Sequence, residues 1–82
     1  MNRKDILENY PEEEFLFADG FDAAIIGVEE KTMKIVYSVE KIIESLMLDM
    51  TFEEAIEYYD FNIECAYVGE KTPLYIKTNF EF

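Results

Sequence analysis

The residues most able to do chemistry in this chain are carboxylates gathered near its centre. Residues 49–70 include seven acidic residues and no basic one. Side chains three or four positions apart on a helix lie about 5 to 6 Å from each other, a spacing comparable to that between successive phosphates on one nucleic-acid strand. The predicted contact set consists of Glu53, Glu54, Glu57, Tyr58, Asp60 and Glu64.

Two interpretations of this acidic face compete. Like charges at helical spacing weaken a helix, and a face that only keeps a protein in solution usually mixes both signs. The absence of lysine therefore favours a binding surface, while a merely solvated face is the alternative. Tyr58 also has two interpretations. It stacks on the Arg and Lys side chains of a basic partner as an anchor, or it packs under the C-terminal tail.

The overall charge indicates what kind of partner such a face suits. The chain of 82 residues has a net charge of −12, yet 50% of it is hydrophobic and 16% is aromatic. Its hydrophobic content predicts a packed core. Its net charge is larger than the magnitude of about 2 to 8 that is enough to keep a small domain in solution, so solubility alone does not explain it. A surface this negative repels phosphates and anionic lipid head groups, so we expect no direct nucleic-acid or membrane contact. The expected partner is a basic protein surface, such as that of a nucleic-acid-binding protein.

Enzymatic chemistry finds little support in the sequence. The chain has no histidine, which removes the commonest general base and metal ligand near neutral pH. The three glycines do not have phosphate-binding spacing, and no serine has a histidine partner for a catalytic triad. We therefore predict a protein that is not an enzyme, with no cofactor and no metal. The alternative is a carboxylate-based metal or ligand site at Asp19 and Asp22, although two aspartates in a turn more often cap backbone N–H groups.

Cysteine use and hydropathy set the expected location. Cys65 is the only cysteine, and its apolar neighbours Ile63 and Ala66 predict a buried thiol. The N-terminus is charged and does not have the pattern of a signal peptide, and no apolar stretch approaches the roughly 20 residues that span a bilayer. These features predict a cytoplasmic protein.

The elements that position the acidic face follow from hydrophobic periodicity. Apolar stripes predict helices at about 3–10, 39–50 and 52–65, with N-caps at Asn2, Ser38 and Thr51. Thr51 and Glu54 have the spacing of a capping box. A hairpin at about 23–37, turning at residues 29–32, and a C-terminal strand at about 74–77 complete the elements. The prediction is a single α+β domain, residues 1–82, in which the helices pack on a small antiparallel sheet.

Four short motifs give the chain a family resemblance. They are D-G-F-D at residues 19–22, I-G-V at 26–28, E-Y-Y-D-F-N at 57–62 and A-Y-V-G-E-K-T-P at 66–73. Over about residues 16–76 the chain resembles a group of small acidic bacteriophage and prophage proteins, with Tyr59 where the family pattern has another aromatic residue. No established activity comes with the resemblance.

What the resemblance implies is a phage or prophage protein acting in the bacterial host cytoplasm. The leading hypothesis is an anti-defence inhibitor, similar to a DNA mimic, that occupies a basic nucleic-acid-binding surface of a host or defence protein. The alternative is a small structural or regulatory domain that forms a homodimer and whose acidity is incidental.

Overall fold

The computed structural model describes residues 1–64 and 66–79 of the chain. It contains helices α1 (Arg3–Asn9), α2 (Val39–Leu46) and α3 (Phe52–Tyr59), and strands β1 (Ile25–Glu29), β2 (Lys34–Ser38) and β3 (Leu74–Ile76). A 3₁₀ turn (Asp22–Ala24) leads into β1, and a π-helical segment (Asp60–Glu64) follows α3. This confirms the predicted α+β class with a small sheet. The predicted burial of the Cys65 thiol concerns a residue outside the described ones.

The three strands form one sheet in the order β1-β2-β3. Strands β1 and β2 pair antiparallel, with Val28 opposite Ile35, which confirms the predicted hairpin. Strand β3 instead runs parallel to β2, with Tyr75 opposite Tyr37, so the prediction of a wholly antiparallel sheet was wrong. The reason lies in the connection between them. Both α2 and α3 separate β2 from β3, and a helical crossover of this kind returns the chain to the end of the sheet where β2 began.

The helices begin where their capping residues predict. The Asn2 side chain accepts a hydrogen bond from the Asp5 backbone N–H at 2.9 Å, and the Ser38 hydroxyl accepts one from Lys41 at 3.2 Å. At α3, the Thr51 hydroxyl accepts from the Glu54 backbone N–H at 3.2 Å, and the Glu54 carboxylate accepts from the Thr51 backbone N–H at 3.0 Å. The capping box therefore fixes the first turn of α3.

The helices end earlier than their apolar stripes predict. Helix α2 stops at Leu46 rather than near residue 50, because the backbone N–H groups of Leu48 and Asp49 bond to carbonyl groups three residues back and tighten the chain into a turn. Leu48 is 85% exposed as a result. Helix α3 changes to π geometry at Asp60. No helix in the described ranges is both long enough and apolar enough to cross a bilayer.

The core lies between the sheet and the helices. Helix α3 turns Ala55 and Tyr59 inward, with Ile56 partly buried beside them and Ile63 continuing the row, so its acidic side chains point toward solvent. Tyr75 of β3 stacks on Tyr37 at 5.7 Å between ring centroids and meets the Tyr59 ring edge-on at 6.0 Å, which connects the sheet to α3. The buried apolar residues are Ile6, Ala24, Ile25, Ile35, Tyr37, Val39, Ile42, Ile43, Ala55, Tyr59 and Ile63.

One carboxylate lies inside the fold. Glu40, in the first turn of α2, is only 4% exposed. It accepts hydrogen bonds from the Thr78 backbone N–H at 3.0 Å, the Thr78 hydroxyl at 3.1 Å and the Asn79 backbone N–H at 3.3 Å. These donors, the Thr78 N–H above all, lower the pKa of Glu40 to about 2. Glu40 therefore ties the segment after β3 to the start of α2.

Candidate binding surface

The predicted contact residues on and just after α3 all reach solvent. Glu53, Glu54, Glu57, Asp60 and Glu64 are exposed. Both salt bridges found among the described residues involve Arg3, so none of these five carboxylates has an ionic partner there. Their negative charge is therefore not neutralised by neighbouring side chains.

The structure divides the predicted set between two grooves. Glu54, Glu57 and Tyr58 line a shallow groove of about 370 Å³, which we call the acidic groove; its other lining residues are Met50, Phe61 and Asn62. Asp60 and Glu64 line a different groove, together with Lys77. Glu53 is part of neither lining. The division follows from the 100° rotation between successive helical residues, which turns neighbouring acids to different sides of the helix.

The acidic groove is the more strongly negative of the two. Its lining includes two carboxylates and no basic residue. The groove at Asp60 and Glu64 includes the ammonium of Lys77, which reduces the local negative potential. We therefore place the centre of the candidate surface at Glu57 and Tyr58, with Asp60 and Glu64 at its margin.

Glu54 has a structural task in addition to its charge. The hydrogen bond from the Thr51 backbone N–H lowers the pKa of Glu54, as expected for a carboxylate that closes a capping box. That bond uses Oε1, and a hydrogen bond with the Thr51 side chain lowers the pKa further. Glu54 therefore holds the helix start while its exposed carboxylate still contributes negative charge to the groove.

The predicted contact set leaves out part of the aromatic surface. Tyr58 is 44% exposed, and Phe61, which the contact set omitted, is 79% exposed. Phe61 lies off the buried row formed by Ala55, Tyr59 and Ile63, and this spacing in the sequence already indicates that its ring is exposed. Two exposed rings beside carboxylates offer stacking faces for guanidinium groups. The alternative for Tyr58, packing under the C-terminal tail, involves residues 80–82, which lie outside the description.

A second groove adjoins the acidic groove. Tyr58 and Asn62 line both, so the two grooves share one boundary. The second groove has a volume of about 350 Å³ and is lined mainly by apolar side chains, among them Leu16, Phe21, Val68 and Pro73. We call it the apolar groove. Its walls come from segments far apart in the chain, which is why the sequence did not indicate it.

One wall of the apolar groove is attached to the sheet. The backbone N–H of Ala18 donates to the Tyr37 hydroxyl at 2.7 Å, and burial raises the pKa of this tyrosine. Residues 15–18 form no strand, so the apolar segment Phe15–Leu16–Phe17 is an extended piece held against the sheet. Leu16 is 38% exposed on this wall.

Another part of the lining comes from a hydrogen-bonded turn at residues 68–72. The Thr72 hydroxyl accepts from the Val68 backbone N–H at 3.0 Å and donates to the Gly69 carbonyl at 2.6 Å. Gly69 has a φ of +121°, which a residue with a side chain rarely adopts. Lys71, the first basic residue after the acidic run, donates to the Thr32 carbonyl at 2.9 Å in the β1–β2 turn. Lys71 therefore connects the turn at residues 68–72 to the β1–β2 turn and does not pair with the α3 carboxylates.

In the structure Asp19 and Asp22 pair with Arg3, which neither of their two predicted roles includes. Both accept hydrogen bonds from the Arg3 guanidinium, at 3.4 and 3.1 Å, rather than from nearby backbone N–H groups. The guanidinium also lies 4.4 Å from the centre of the Phe17 ring. Arg3 thus supplies the positive charge for these carboxylates, and within the described ranges no three acidic or thiol groups gather as a metal site requires. The metal alternative has no support here.

Comparison of the chain with protein-family models, with curated proteins and with solved structures gives no match.

Proposed function

We propose that this chain is a non-enzymatic binding protein that uses the α3 surface to occupy a basic, nucleic-acid-binding surface of another protein. The observation that carries this proposal is the unpaired state of the exposed α3 carboxylates among the described residues. With the phage or prophage context implied by the family resemblance, the expected partner is a host or defence protein, and the expected outcome is inhibition of its nucleic-acid binding.

Electrostatic complementarity supplies the mechanism. Carboxylates one helical turn apart, such as Glu53 and Glu57, present negative charge at a spacing similar to that of phosphates along a strand. The long-range field of a chain with net charge −12 steers a basic surface toward it and raises the association rate. After contact, Tyr58 and Phe61 stack on arginine side chains. Added salt screens the exposed charges and weakens the complex.

Two features support a binding role over an enzymatic one. The chain has no histidine to act as a general base near neutral pH. The acidic groove is shallow and open at the surface of α3, whereas catalysis by carboxylates requires a site that excludes water and shifts their pKa. Binding requires only exposed charge and shape.

The test is affinity capture followed by competition. The immobilised chain is incubated with bacterial lysate, captured proteins are identified, and double-stranded DNA is added to displace them. The test variant is Glu53→Lys/Glu57→Lys. The matched control, Glu12→Lys/Glu13→Lys, changes the net charge equally at two exposed residues that lie outside α3 and line neither groove.

We expect a captured protein that binds DNA, that DNA displaces, that the control retains and that the α3 variant loses. Equal loss in both variants would show that only net charge matters and would contradict a specific surface. Capture that neither variant nor DNA affects would contradict the proposal as a whole.

A further inference from the structure

The apolar groove specifies a second chemical feature of the partner. Two exposed side chains from distant segments of the chain, Leu16 and Val68, border a cavity of about 350 Å³. Val68 is 60% exposed, and Tyr58 contributes its ring to the same lining. A cavity of this size lies at the lower end of the range that holds small ligands and exceeds the volume of one large aromatic or aliphatic side chain.

The walls are fixed before any partner arrives. The Tyr37 hydroxyl holds one wall through Ala18, and Thr72 holds the other through Val68. A groove that is already formed avoids much of the ordering cost that a flexible loop incurs on binding. An apolar side chain entering it therefore retains most of the free energy gained by leaving water.

Charge decides which kind of partner fits. The apolar groove shares Tyr58 and Asn62 with the acidic groove, where Glu54 and Glu57 face no basic residue. A segment that occupies both grooves thus lies beside two carboxylates, which repel an acidic segment and attract a basic one. A second copy of this chain, itself strongly negative, is disfavoured for the same reason.

We infer that the apolar groove receives a large apolar side chain of the partner, presented next to the arginine or lysine that the acidic groove binds. This inference rests on the proposed function and adds a specificity element to it. Basic residues alone supply charge-dependent attraction, and the neighbouring apolar residue selects one basic surface among many. Tyr58 contacts both kinds of side chain at the boundary.

The test uses two fluorescein-labelled peptides. One alternates arginine and serine; the other is identical except that one central serine is replaced by tryptophan. Binding is measured by fluorescence anisotropy at low and moderate salt. The apolar-groove variant is Leu16→Gln/Val68→Gln, and Leu48→Gln is the control, since Leu48 is also an exposed apolar residue but contributes to neither groove. Circular dichroism verifies that each variant folds.

We expect the tryptophan peptide to bind the unmodified chain about tenfold more tightly than the serine peptide. The apolar-groove variant should remove that advantage without altering the affinity or the salt dependence of the serine peptide, and Leu48→Gln should preserve the advantage. Equal binding of both peptides, or an advantage that survives Leu16→Gln/Val68→Gln, would overturn the inference.

The peptides also separate this inference from the proposed function. If the serine peptide binds and Glu53→Lys/Glu57→Lys abolishes its binding, the acidic surface stands whatever the tryptophan result. If neither peptide binds at low salt, both the proposed function and the inference are wrong.

Discussion

The carboxylates around the sheet and the carboxylates on α3 differ in what they contact. Around the sheet, Asp22 pairs with Arg3, Glu29 accepts the backbone N–H of Lys31 at 2.7 Å in the hairpin turn, and Glu40 holds Thr78. On α3, Glu54 closes a capping box, while the other acids make no ionic contact within the described chain. The same side-chain type thus stabilises the fold in one region and is left available in the other. The carboxylates of this chain therefore have two separate roles, and substitutions can alter one group without altering the other.

The largest effect on stability is expected at Glu40. Glu40→Gln leaves one acceptor oxygen, and its amide NH₂ cannot accept a hydrogen bond from Thr78 or Asn79. Glu40 itself is buried, whereas Thr78 and Asn79 are exposed, so water replaces the lost hydrogen bonds only in part. We expect the thermal midpoint to fall by several degrees in calorimetry. Glu44→Gln is the control on the same helix, since Glu44 is exposed and makes no hydrogen bond or salt bridge among the described residues. Equal midpoints for the two variants would contradict the assigned role of Glu40.

The second prediction concerns acid. The pKa of Glu40 is about 2 in the folded chain, against an ordinary value of 4.5 that we assign to the unfolded chain. Between these values the unfolded chain binds more protons, so this contribution to stability is fully present above about pH 4.5 and is lost as pH falls toward 2. Urea denaturation across this range should show the difference between the unmodified chain and Glu40→Gln shrinking as pH falls. A difference that is constant with pH would contradict the lowered pKa.

A smaller loss is expected at the start of α3. Thr51→Ala removes the acceptor for the Glu54 backbone N–H and should lower the free energy of unfolding by about 1 kcal/mol, measured by urea denaturation. Glu54→Gln keeps an oxygen for the Thr51 backbone N–H while removing the charge, so its stability should stay close to that of the unmodified chain. A large loss in Glu54→Gln would show that the charge itself, and not only the capping geometry, supports the helix.

Local spacing predicted the parts of the fold that depend on near neighbours. The caps at Asn2, Ser38 and Thr51 and the antiparallel hairpin are confirmed because each depends on residues a few positions apart. The parallel pairing of β3 and the hydrogen bonds between Glu40 and Thr78 join residues far apart in the chain, and periodicity contains no information about such pairs. The pairing of Arg3 with Asp19 and Asp22 was missed for the same reason.

For the candidate surface too, the features that depend on near neighbours were predictable and those that join distant segments were not. The exposure of Glu57 and Tyr58 was predictable from helical spacing, since both lie off the buried row of Ala55 and Tyr59. The π-helical segment after Tyr59 was predicted as α-helix, because a spacing of four between Tyr59 and Ile63 fits both geometries. The apolar groove could not be predicted, since Leu16 and Val68, which both line it, are far apart in the chain.

The most direct test of the central claim compares stability and binding in a single variant, Glu57→Lys. It places a lysine four residues after Glu53, which turns a repulsive pair into an attractive one in the favourable orientation. We predict that the free energy of unfolding rises by about 0.2 to 0.5 kcal/mol while the affinity for the captured partner falls about tenfold. A stabilised variant that binds its partner as tightly as the unmodified chain would contradict the claim that the α3 carboxylates are kept unpaired for binding.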